Sequence, residues 1–176
     1  MGSRTGARAR RRRGALLLGG VMVVSVAGCA PVERPLVAVY ADREGTAQVL
    51  LRSCDEDGRV RGPILEGTPT GDPGGGAAEE ASVGWVGWEA RGEHRAADFP
   101  LFAPPSDWDA EFHGIRELRP GHSYRLAFGD PDDSYAYTGT VSFDAERLAR
   151  VPDGEVLTLD GTVSREAFEE QAREVC

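Results

Sequence analysis

The stretch Leu118-Arg119-Pro120-Gly121-His122-Ser123-Tyr124-Arg125-Leu126-Ala127-Phe128, resumed after GDPDDS by Tyr135-Ala136-Tyr137-Thr138-Gly139-Thr140-Val141-Ser142-Phe143, decides the fold class. Tyr124, Leu126 and Phe128 alternate with Ser123, Arg125 and Ala127, and Tyr135, Tyr137, Val141 and Phe143 fall on one face beyond the turn. Successive side chains on a strand point to opposite faces, so this period of two predicts a long antiparallel hairpin with one face buried.

Working outward, PLVAVYADREGTAQVLLRSC from Pro35 holds two β-rich runs around Asp42-Arg43-Glu44-Gly45, a second hairpin ending at Cys54. The acidic turn DEDG then leads to a third run, RVRGPILEG. Residues 68–82, TPTGDPGGGAAEEAS, offer nothing to bury and read as a mobile loop inside one domain. VGWVGWEA, DFPLF and EFHGIREL are further short strands, and Gly154 to Leu159 is an extra one. Ser164 can cap a helix over 165–175, with Glu166 in its first turn and Phe168, Ala172 and Val175 at helical spacing. That helix should lie on the sheets and carry Cys176 to Cys54. About seven short strands in roughly 110 residues predict a mainly β, antiparallel sandwich with a C-terminal α-helix.

Leu118, Pro120 and Tyr124 have the spacing of the corner in fibronectin type III domains, and the segment resembles that family; His122 stands where the family usually has Thr. The resemblance implies an immunoglobulin/fibronectin III-like sandwich in which the Tyr124 hydroxyl bonds back to upstream backbone, the tyrosine corner.

At the N-terminus, Arg4, Arg8 and Arg10 to Arg13 precede the apolar run ALLLGGVMVVSVA, with no acidic residue among them. A charged segment followed by a short apolar one has the order of an export signal, and the run falls short of the roughly 20 residues that span a bilayer. Val26-Ala27-Gly28-Cys29 resembles the lipobox of bacterial lipoproteins. The resemblance implies cleavage between Gly28 and Cys29, a diacylglycerol on the Cys29 sulfur, and anchoring to the outer face of the cell membrane. Residues 1–28 are then signal peptide, 29–35 a lipidated tether and 36–176 the domain. Arg12-Arg13 lacks the Ser or Thr that precedes a twin-arginine pair, which favours general secretion.

Removing the signal peptide takes six Arg with it and leaves 14 against 29 acidic residues, a formal charge of −15. Such a surface argues against nucleic acid and against a polybasic grip on lipid, which leaves the covalent lipid as the membrane partner. With Cys29 lipidated, Cys54 and Cys176 remain, and outside the cytoplasm such a pair oxidises to a disulfide.

The chain offers no nucleophile elbow, His-x-x-x-His pair or phosphate-cradling loop around His94, His113 and His122, so neither catalytic residues, metal ligands nor a cofactor are assigned. Asp130, Asp132 and Ser134 begin like a calcium loop, but Tyr135 takes the place that needs Gly and no Glu closes it. Asp107, Asp109 and Glu111 alternate as an acidic ridge along one strand face. Trp85 and Trp88 point to opposite faces, so one enters the core and the other, or Trp108, could stack a sugar. The expectation is a non-enzymatic module for an envelope protein partner; the alternatives are a glycan-binding lipoprotein using these tryptophans and an unidentified hydrolase.

Overall fold

The computed structural model describes residues 32–70, 85–129 and 137–176. Two antiparallel hairpins anticipated from the sequence form its two halves. In the first, β2 (Val37–Ala41) pairs with β3 (Ala47–Leu51) from Val37↔Leu51 to Ala41↔Ala47. Asp42 closes the turn, its carboxylate accepting the Glu44 and Thr46 amides at 3.0 and 2.9 Å. In the second, β10 (His122–Phe128) pairs with β11 (Tyr137–Asp144), and Tyr124, Leu126 and Phe128 are buried as their alternation predicts.

Around these hairpins the chain builds two facing sheets. One contains β2, β3 and β8 (Asp98–Pro100), extended at the β2 edge by β12 (Glu155–Thr158) and β13 (Gly161–Ser164). The other contains β11, β10, β5 (Ile64–Pro69) and β6 (Val86–Glu89). The two sheets make a mainly β, antiparallel sandwich, and the core between them joins Val37, Val39, Val49 and Leu51 to Leu65, Trp88, Leu126 and Val141. Additional edge strands flank the second sheet: β1 (Val32–Arg34), parallel to β11, and β9 (Glu111–His113), antiparallel to β6. A separate ribbon joins β4 (Arg59–Arg61) to β7 (Glu93–Arg95).

Strands β2 and β3 are apolar on both faces, and the second face has its own cover. Ala38, Leu50 and Val156 form a smaller cluster with Phe168, the central apolar residue of α2 (Arg165–Glu174). The helix begins where its capping residue predicts, with the Ser164 hydroxyl accepting the Ala167 amide at 3.1 Å. Arg52, at the end of β3, bonds Glu169 at 2.5 Å and Asp98 at 2.6 Å, and Arg165 reaches Asp98 at 2.8 Å. The paired Arg52 holds the Glu169 carboxyl below its ordinary value, while Glu169 chiefly raises Arg52. The helix delivers Cys176 to Cys54; the disulfide closes 122 positions of chain with the Cα atoms 4.9 Å apart.

The tyrosine corner forms as the resemblance implies. The Tyr124 hydroxyl accepts the Arg119 amide at 2.7 Å and donates to the Glu117 carbonyl at 3.4 Å, from a fully buried ring. That ring lies over Gly67 of β5, where a Cβ would come within 2.4 Å of it. Leu118 packs partly buried against the core.

Four expectations need correction. The tether does not run to residue 35, because Val32–Arg34 already pairs with β11 and Leu36 is buried. The loop expected over 68–82 loses its first residues to β5, which continues through Pro69 opposite His122; residues 71–84 lie outside the described residues. EFHGIREL is strand only as far as His113, since Gly114 turns the chain with φ +69°. The acidic ridge does not exist as a strand face: Asp107 lies in a 3-10 turn, Ser106–Trp108, and Asp109 is left-handed at φ 52°. Strands β1, β7 and β13 were not anticipated, nor was the short helix α1 (Ala145–Ala149), capped by the Asp144 carboxylate on the Arg147 amide.

Candidate functional site

Alternation within β6 sorts its aromatic and acidic residues. Trp88 points inward and is fully buried, its indole N–H donating to the Leu101 carbonyl at 2.7 Å. It meets Phe99 and Trp108 edge to face at centroid distances of 5.8 and 6.2 Å. Trp108 is 2% exposed. Neither can present a face to a sugar, which corrects the expectation for both; they are core residues held by an aromatic cluster. Trp85 lies outside the core as expected, half-buried, with its ring 4.0 Å from that of His113.

Glu89, at the other end of β6, projects to the side of the sheet opposite Trp88. The register of β9 sets Glu111 directly across from Glu89, Phe112 across from Trp88 and His113 across from Gly87. The pleat therefore gathers Glu89, Glu111 and His113 on the outer face of the sheet edge. One ligand atom from each lies within 4.8 Å of the others. The approach of β5 and β6 at this point requires glycine: a Cβ on Gly87, at φ +147°, would lie 1.9 Å from the Leu65 carbonyl oxygen. Arg91 pairs with Glu89 at 3.2 Å, and Glu111 has no ion-pair partner among the described residues. The Nε2 atom of His113 is shut off from solvent without a hydrogen-bond partner.

A second set of features lies at one end of the sandwich. Open concavities surround the β2–β3 turn: one is lined by Thr46, Pro100, Phe102 and Arg116, another by Asp42, Arg43, Leu118 and Leu148, a third by Tyr40, Asp153 and Arg165. Val32 pairs with Tyr137 at the start of β11, whereas α1 follows the end of β11, so these concavities lie at the end remote from Val32. None of the three is lined by a histidine.

The remaining residues singled out in the sequence are structural or undescribed. Cys54, Cys176, Leu118, Pro120 and Tyr124 hold the fold; Pro120 contributes its carbonyl 3.3 Å from a ring nitrogen of His122. His94 packs its ring 5.2 Å from that of Trp108. Gly28, Cys29 and the Asp130, Asp132 and Ser134 turn lie outside the described residues. Among the described residues no helix is long and apolar enough to cross a membrane. The Glu89, Glu111 and His113 grouping was missed because Glu89 lies 22 positions before Glu111, and only the strand register joins them. No family model, curated protein or solved structure matches this chain.

Proposed function

We propose that this chain is an exported, lipid-anchored binding module whose sandwich offers the loops around Asp42–Thr46 to a protein partner in the bacterial envelope. It has no catalytic role. The lipid sits on Cys29 after cleavage at Gly28, and the domain stays on the outer face of the cell membrane.

One observation carries the reading: Val32, three positions after Cys29, is already paired in a strand, and the open concavities lie at the far end. Three residue steps reach about 11 Å at most. An anchor so short keeps the β4–β7 ribbon and the start of β11 toward the bilayer, with Arg61 bonded through its carbonyl to Gly129 beside that end. It leaves the β2–β3 turn, α1 and the Pro152–Gly154 turn facing away. Two or more acyl chains hold such a domain stably, since each buried CH₂ contributes about 0.8 kcal/mol.

The test is made in cells of the producing bacterium. Cys29→Ser should leave the chain unprocessed or release it from membranes, and unchanged fractionation with unchanged mass refutes the anchor. A photo-crosslinking residue at Arg43 should capture an envelope protein in intact cells, whereas the same residue at Arg61 should not. Equal capture from both positions, or from neither, refutes the placement of the binding end.

A further inference from the structure

We propose that Glu89, Glu111 and His113 bind one divalent transition-metal ion of the zinc class on the outer face of the β6–β9 edge. The proposal is independent of the fate of Cys29.

Three features of this edge make it a site rather than a chance gathering of charge. Its donor atoms already converge: an equilateral triangle with the observed 4.8 Å limit as its edge has its centre about 2.8 Å from each corner, and zinc bonds to N or O at about 2.0–2.2 Å. Side-chain rotations of less than about 1 Å close that difference, with no movement of the strands. Next, Glu89 and Glu111 are directly opposed in the ladder, where like charges are destabilising. Among the described residues Arg91 reaches only Glu89. A dication between the two carboxylates turns this repulsion into attraction for both. Finally, His113 carries a buried ring nitrogen with no partner, while its ring is held against Trp85. Buried polar groups are normally satisfied, and an imidazole nitrogen left without a hydrogen bond is a group that a metal can use or orient.

The donor set selects the metal class. Calcium and magnesium take all-oxygen shells, whereas imidazole favours zinc and its transition-metal neighbours. Three protein donors leave at least one coordination position open for water or for a side chain of a bound partner. The site ties β9, an edge strand of three residues, to β6.

The experiment uses the untagged full-length chain in detergent, titrated with zinc chloride by calorimetry and followed in thermal unfolding. Wild type should bind one equivalent and unfold several degrees higher when saturated. Copper should also quench tryptophan emission, because Trp85 packs on the ligand imidazole. Glu111→Gln and His113→Ala should each weaken zinc binding at least about tenfold. Glu111→Gln also protects the test against a folding defect: without metal it should melt at or above wild type, since it removes a like-charge pair, yet zinc should no longer raise its midpoint. Calcium and magnesium should leave wild type unchanged. Absence of saturable zinc binding, wild-type affinity in both variants, or a larger shift with calcium than with zinc would overturn the proposal.

Discussion

Replacing Tyr124 by Phe removes one oxygen atom from the core and isolates the corner's contribution to stability. In the wild type that oxygen accepts the Arg119 amide at 2.7 Å and donates to the Glu117 carbonyl at 3.4 Å. The ring is fully buried and stacks 5.8 Å from Phe143, so Phe retains the packing and leaves the Arg119 amide without its partner. An unmade hydrogen bond at a buried group costs about 1–3 kcal/mol, and the shorter of the two bonds should dominate. A loss of about 2 kcal/mol lowers the urea midpoint by about 1 M at a slope of about 2 kcal/mol/M. The assay is equilibrium urea unfolding under oxidising conditions, with the slope compared between variants to confirm an unchanged transition. Tyr40→Phe is the control, because among the described residues the half-exposed Tyr40 hydroxyl meets only the Arg165 guanidinium, at 3.5 Å, and should change stability by less than about 0.5 kcal/mol. Tyr124→Ala should cost about 3–5 kcal/mol by adding a cavity beside Gly67. If Tyr124→Phe matches Tyr40→Phe, the corner is only a consequence of the turn and does not hold it.

Three further outcomes follow from the packing of the C-terminal segment. Replacing Cys54 and Cys176 together by Ala frees a loop of 122 positions and should lower stability by about 5 kcal/mol in the chain-entropy treatment, read as a drop in urea midpoint that reducing agent reproduces in wild type. Phe168→Ala opens the cluster with Ala38, Leu50 and Val156 and should cost about 3–5 kcal/mol, with amide exchange of α2 accelerating more than that of β10. Glu169 has its carboxyl held below the ordinary value of 4.5 by Arg52, so its stabilisation is complete above 4.5 and disappears as pH falls through the lowered folded-state value. Glu169→Gln should therefore flatten the acid limb of the stability–pH curve, with a loss at neutral pH of no more than about 1 kcal/mol for a partly exposed pair.

The elements most legible in the sequence are those whose own residues carry a period or a cap. The Tyr124-Leu126-Phe128 alternation specifies a buried face, and Ser164 with Glu166 specifies a helix start, without reference to anything distant. Leu36 to Val39 was legible as a strand but not as one covered on both faces, because its outward Ala38 gains a cover only when α2 docks. Gly114 ended the expected β9 early, since a left-handed residue in the middle of an apolar run reverses the chain regardless of the propensity around it. Helix α1 carried a readable signal in Asp144 followed by Ala-Glu-Arg-Leu-Ala, but five residues are too few to show a period.

The edge site was illegible for a different reason. Spacing can mark ligands that share one helix turn or one strand, and His113 with Glu111 meets that condition as alternate residues of β9. Two such residues are common on any strand and carry no weight alone. What gives them weight is Glu89, brought opposite Glu111 by a pairing fixed elsewhere: Trp88 must face Phe99 and Trp108 in the core, and that inward direction sends Glu89 outward. A one-residue slip of β6 would reverse both, moving the indole into water and the carboxylate into the core. The burial of Trp88 therefore enforces the register that places two carboxylates and an imidazole together. The same residue that argued for a sugar platform in the sequence excludes itself from that role by entering the core, and in doing so positions the chemistry on the other face.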